Sequence, residues 1–142
     1  MRQWIIVGSA AAIMLVAGNP AAARKAAAAQ TVSSLLKGAS EQGGPSYATF
    51  RKVAIGEGWV PAPQPDCTKE VYGLDGPLPG KANICDALPE IESCSSNGLC
   101  LMIFKHKVDK RSLSVTTYGD YNSWDTPGEE GALYVQGGDI GR

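Results

Sequence analysis

The residues able to do chemistry in this chain are few and dispersed. The single histidine, His106, lies between Lys105 and Lys107. A Ser-His-Asp arrangement would have to use it as its base, and the G-x-S-x-G turn that presents a serine nucleophile does not occur. Glycoside cleavage needs two carboxylates flanking one bond. Glu90 and Glu92 form such a pair if the chain is extended there, because residues two apart share a strand face. A small envelope hydrolase using Glu90, Glu92 or His106 is therefore one reading. Gly73-Leu74-Asp75-Gly76 lacks the flanking strand and helix of a phosphate loop, and no dinucleotide fingerprint is present. No cofactor is expected.

Cys67, Cys85, Cys94 and Cys100 form an even set. In an oxidising compartment the expectation is two disulfides. Four cysteines allow three pairings, and the sequence does not choose among them. Cys67–Cys85 with Cys94–Cys100 is favoured because both close short local loops. Ser95-Ser96-Asn97-Gly98 can turn back on itself, since Asn and Gly tolerate positive φ. Structural zinc sites usually use C-x2–4-C spacing, whereas the gaps here are 17, 8 and 5 residues and His106 is the one histidine, so no metal site is expected. A redox pair would want C-x-x-C beside a βαβ pattern, and neither is present.

Charge offers a binding reading. Lys105, Lys107, Lys110 and Arg111 gather with His106 around one turn, while the C-terminal segment is acidic. Such a tip could engage an anionic protein cleft, a glycan or a phospholipid surface. The plainer alternative is a solvated turn whose charges protect the sheet from edge pairing. Over the whole chain, 13 basic residues face 14 acidic ones, which argues against a polybasic nucleic-acid binder.

The elements that must position these groups follow from patterning. Leu99 to Phe104 is apolar on both faces and reads as a central strand covered on both sides. Val108-Asp109-Lys110-Arg111 reads as the turn. Leu113, Val115 and Thr117 alternate with Ser112, Ser114 and Thr116 as a half-exposed partner strand. Upstream, Ser46 is placed to cap a helix whose apolar face is Tyr47, Phe50, Val53 and Ala54. Trp59-Val60-Pro61 reads as an edge strand running into a proline-rich spacer. Trp124 is expected to fold back on the sheet, and Ala132 to Gln136 to form a last short strand.

Residues 1–23 read as a secretory signal peptide, with Arg2, an uncharged run from Trp4 to Ala17, a break at Asn19-Pro20 and Ala21-Ala22-Ala23 as cleavage site. The run is short for a membrane span, so no transmembrane anchor is expected after cleavage. The remaining divisions are a flexible lead-in over 24–44, with a short helix over Thr31 to Lys37 docked on the domain as the alternative, one domain over 45–136 and a frayed end over 137–142.

These pieces resemble a family of small exported bacterial domains without an assigned function. The resemblance rests on Tyr47-x-x-Phe50-Arg51, Gly58-Trp59-x-Pro61, Cys67, Pro89-Glu90, Cys94, Gly98, Cys100 and the Leu113 to Thr117 strand. It covers about residues 46–120 and leaves the segment from Pro127 to Arg142 outside. It implies an α+β domain with paired cysteines in a bacterial envelope, and it carries over no catalytic residue. The expected architecture is one N-terminal helix packed on a small antiparallel sheet of three to four strands, with two disulfides. The expected role is an exported, non-enzymatic binding or inhibitor-like module. A purely structural envelope protein is a further alternative.

Overall fold

Apolar residues in this chain recur at two periods, and each period builds one layer. The computed structural model describes residues 29–128 and 131–142. The expected signal peptide and the first residues of the lead-in lie outside them. Among the described residues there are four α-helices and five strands, in the order α1 (Val32–Lys37), α2 (Tyr47–Gly56), β1 (Trp59–Pro61), α3 (Cys67–Tyr72), α4 (Ile84–Ala87), β2 (Ile91–Cys94), β3 (Leu99–His106), β4 (Ser112–Gly119) and β5 (Leu133–Gly141). The fold is α+β with an all-antiparallel sheet.

The single-helix, three-to-four-strand expectation needs correction. α1 lies in the segment expected to be a flexible lead-in. Thr31 and Ser34 cap each other reciprocally at its start, and Val32 and Leu35 are buried. Six residues cannot hold a helix alone. Docking on β5 does so, with Leu36 against Gly138. The alternative of a short docked helix within Thr31 to Lys37 is the one that forms; the surrounding Ala, Ser and Gly residues favour the flexible reading and hide the helix's apolar face. α3 and α4 were hidden for another reason: each is barely one or two turns long, inside a Gly- and Pro-rich loop. The Cys67–Cys85 bridge closes that loop. A closed loop of about 15 residues is worth roughly 3 kcal/mol in the chain-entropy model.

α2 begins where Ser46 accepts a hydrogen bond from Thr49 N (3.2 Å), and it buries Tyr47, Phe50 and Ala54 at i, i+3 and i+7. The strand order is β1-β3-β4-β5, with β2 also on β3. One edge of β3 is thus shared. β1 covers its end from Phe104 to His106, and β2 covers its start from Cys100 to Met102. Cys94 and Cys100 face each other directly across β2 and β3 and are bridged. Gly98, at φ 88°, closes the turn between them.

The β3–β4 hairpin forms with Leu113, Val115 and Thr117 buried beside Cys100, Met102 and Phe104. β3 is central, but among the described residues it is not covered on both sides. Leu99, Leu101 and Ile103 point to a face without helices and remain half-buried. An apolar run alone does not say how many layers will cover it. β5 is also longer than expected. Its pairing with β4 reaches Gly141, so the expected fraying over 137–142 is replaced by a strand. Gly137 and Gly138 lower strand propensity, but β4 supplies the ladder. Residues 45 and 46 cap the outer edge of β5, with Val135 N donating to Pro45 O (2.9 Å). A side chain at Gly44 would collide with the Val135 carbonyl oxygen.

Candidate functional site

Three places gather polar or concave features. The first is internal. Glu90 sits where the edge of β3 changes partner from β1 to β2, and its backbone carbonyl accepts from Ile103 N (2.8 Å). That position turns its side chain inward, where it is fully buried. Tyr47 Oη donates to Oε1 at 2.8 Å, and Arg51 Nε donates to the same oxygen at 2.5 Å. Arg51 Nη2 reaches Oε2 at 3.5 Å. Tyr47 and Arg51 stand one helical turn apart on α2, so both reach one carboxylate. Trp124 closes the cluster, its ring 5.4 Å from the Arg51 guanidinium carbon and edge-on to Tyr47. It therefore folds back on the start of α2 rather than on the sheet. Burial, reinforced by the Glu90 charge, pushes the Tyr47 hydroxyl well above its ordinary pKa. Burial works against the charge on Arg51, but the hydrogen bond and charge of Glu90 outweigh it and raise its pKa.

Glu92, two residues on, is solvent-exposed within a bulge of β2. The shared strand face expected of Glu90 and Glu92 is thus not formed. One carboxylate is occupied in the core and the other stands in water. A buried ion pair is what this Glu90 makes, and the two sides of a glycosidic bond are not flanked by it and Glu92.

The second place is the β3–β4 tip. Asp109 holds it together. Its Oδ1 accepts from Arg111 N (3.2 Å) and its Oδ2 from Arg111 Nε (2.7 Å). His106 Nδ1 lies 2.9 Å from Oδ1, close enough for an ion pair but poorly aligned for a hydrogen bond. The other ring nitrogen, Nε2, is 3.3 Å from the Glu57 carbonyl, so it faces an acceptor rather than a nucleophile. Trp59 underlies the group, edge-on to His106 at 5.1 Å and 5.5 Å from the Arg111 guanidinium carbon. Burial is the largest single influence on Asp109 and opposes its charge, but the Arg111 hydrogen bonds, with the charges of Arg111 and His106, together outweigh it and hold the carboxyl below the usual range.

Of the predicted binding residues, Lys107 and Lys110 are exposed at the turn. Lys105 is exposed on the helix-free face of the sheet, and Arg111 is half-buried and committed to Asp109 and Trp59. Among the described residues, none of the three lysines makes an ion pair. Val108 stands 84% exposed among them.

The third place is a cleft of about 740 Å3 between the disulfide-closed loop and the Tyr121–Ser123 turn. Tyr72, Tyr121 and Leu78 form its walls, with Asp75 and Lys81 at its margin. Tyr72 Oη accepts from Ile84 N (3.0 Å), which ties the wall to α4. Burial and the nearby Tyr72 and Asp120 raise the Tyr121 pKa. The cleft and the Tyr47–Arg51–Glu90–Trp124 cluster were both missed from sequence. The i,i+4 placement of Tyr47 and Arg51 was a visible signal for the cluster. Its acid lies 39 positions beyond Arg51, which no local pattern reports.

Among the described residues no helix is long and apolar enough to cross a membrane. Comparison with protein-family models, curated proteins and solved structures finds no match for this chain.

Proposed function

We propose that this protein is an exported, non-enzymatic binding module of the bacterial envelope that engages an anionic partner through the β3–β4 tip. One observation carries the reading. Asp109 is the acid within the tip, and Arg111 and His106 already occupy it, so among the described residues Lys107 and Lys110 project without an ion-pair partner. The turn that carries them is internally fixed, with Lys110 N donating to His106 O and His106 N to Arg111 O. A preorganised charged turn loses little conformational freedom on binding. Export is supported by the signal-peptide pattern of residues 1–23 and by two disulfides, which persist in oxidising compartments.

The test is capture from an envelope extract by the oxidised protein, beside the double variant Lys107→Glu, Lys110→Glu. The expected outcome is a partner retained at low salt, released as salt rises, and lost by a variant whose melting temperature is unchanged. Retention indifferent to both tip charge and salt would remove the tip from the reading.

A further inference from the structure

The helices cover one face of the sheet, and the pairing register fixes what stands on the other. Leu99, Leu101, Ile103 and Lys105 line up along β3. On β4, Tyr118 adjoins Leu99 at one end, and the small hydroxyl residues Thr116, Ser114 and Ser112 adjoin Leu101, Ile103 and Lys105. On β5, Gly137 pairs with Thr116 and Asp139 with Ser114. Val60 of β1, opposite Lys105, is 38% exposed, and Tyr118 is 39% exposed. The face is thus an aliphatic ridge beside a trough of Ser, Thr and Gly, with a lysine on the ridge and an aspartate across the trough. Among the described residues neither Lys105 nor Asp139 has an ion-pair partner.

We propose that this face is the contact surface of a homodimer, in which a two-fold axis running along the strands between β3 and β4 seats the ridge of each copy in the trough of the other. Stacked sheets pack about 10 Å apart with their strands nearly aligned. That separation is filled when large side chains on one sheet meet small ones on the other. The axis along the strands does this twice by symmetry, placing Ile103 over Ser114 and Leu101 over Thr116 of the other copy. It also brings Lys105 of each copy within a lysine's reach of the other copy's Asp139. An axis across the strands would set ridge on ridge and leave both charges unmatched. Ser114, at the centre of the row, tolerates the cover because its Oγ already turns to the Asp139 carbonyl (3.5 Å). In this arrangement both β3–β4 tips point to the same end of the dimer. That consequence would give paired basic tips an avidity one tip lacks, but the dimer itself does not depend on the tip reading.

The test is the molar mass of the oxidised protein, as recovered from an exporting cell, by sedimentation equilibrium up to roughly 1 mM, a range that detects weak specific contacts. A concentration-dependent doubling is expected. Lys105→Asp and Asp139→Lys should each weaken self-association at least about tenfold, and the combined variant should regain most of it. Both positions are exposed, and unchanged circular dichroism confirms that the fold survives. Leu101→Ser should abolish the dimer in the same way. A monomer at every concentration overturns the proposal. So does a dimer that ignores the charge reversals, or one whose combined variant is as weak as the two single losses together. A monomer that instead sediments with phosphatidylglycerol vesicles in a Leu101-dependent way assigns the face to a lipid surface and equally overturns it.

Discussion

Two clusters in this molecule are built from the same parts. Each sets an arginine on a carboxylate and lays its guanidinium over a tryptophan. Arg51 does so with Glu90 and Trp124, and Arg111 with Asp109 and Trp59. The guanidinium carbon sits 5.4 Å from one ring and 5.5 Å from the other. An aromatic side chain adjoins the acid in both, Tyr47 in one and His106 in the other. The difference is water. Glu90 is fully buried, whereas the Asp109 side chain is 43% exposed. Burial converts the first cluster into a structural commitment, because an acid removed from water must keep its partners. The second is a brace. It shapes a turn, and solvent can replace much of what it supplies.

Removing one partner of the buried cluster should have the largest effect. Glu90→Ala leaves Arg51 uncompensated and Tyr47 Oη without its acceptor. A loss of about 3–5 kcal/mol is expected in urea unfolding. A cost near that of a surface substitution would show that water reaches the site and would erase the contrast. Tyr47→Phe keeps the ion pair and deletes one hydrogen bond to a charged group, so about 1.5–3 kcal/mol is expected.

The same tyrosine gives the cluster a pH signature. Its folded pKa is raised, so the folded chain keeps the phenolic proton at a pH where the unfolded chain, near 10, has lost it. Stability is therefore fully present below the unfolded value and falls as pH climbs through the folded one, by at most about 1.4 kcal/mol per pH unit for this group. Melting curves of Tyr47→Phe should lack this part of the alkaline slope. An identical slope in both proteins would place the tyrosine in contact with solvent.

The tip should answer more quietly. Asp109→Asn is expected to leave the melting temperature almost unchanged while amide exchange at Lys110 and Arg111 quickens. Its effect should vanish at about 1 M salt, where screening reaches only about 3 Å, whereas the Glu90→Ala cost should persist there. If high salt weakened both alike, burial would not be what separates them.

Sequence patterning reached this contrast only halfway. The tip was legible because its parts are neighbours: a strand that turns polar at Lys105, a turn, and a strand that resumes at Ser112 with alternation. The capped start of α2 and its Tyr47 and Phe50 face were local in the same sense. So were the two cysteine loops, each short enough to favour the pairing that forms. The seat of Glu90 could not be read, since it depends on β1 and β2 sharing one edge of β3 and turning a carboxylate inward. The helix-free face of β3 was misread because an apolar run records where burial is favourable and not which layers arrive to provide it. Local propensity and spacing determined the hairpins, the caps and the crosslinks of this protein. Only the tertiary structure decided which of two similar acids lies in the core, because dielectric surroundings are set by all the elements that pack around a residue and by none of its neighbours in sequence.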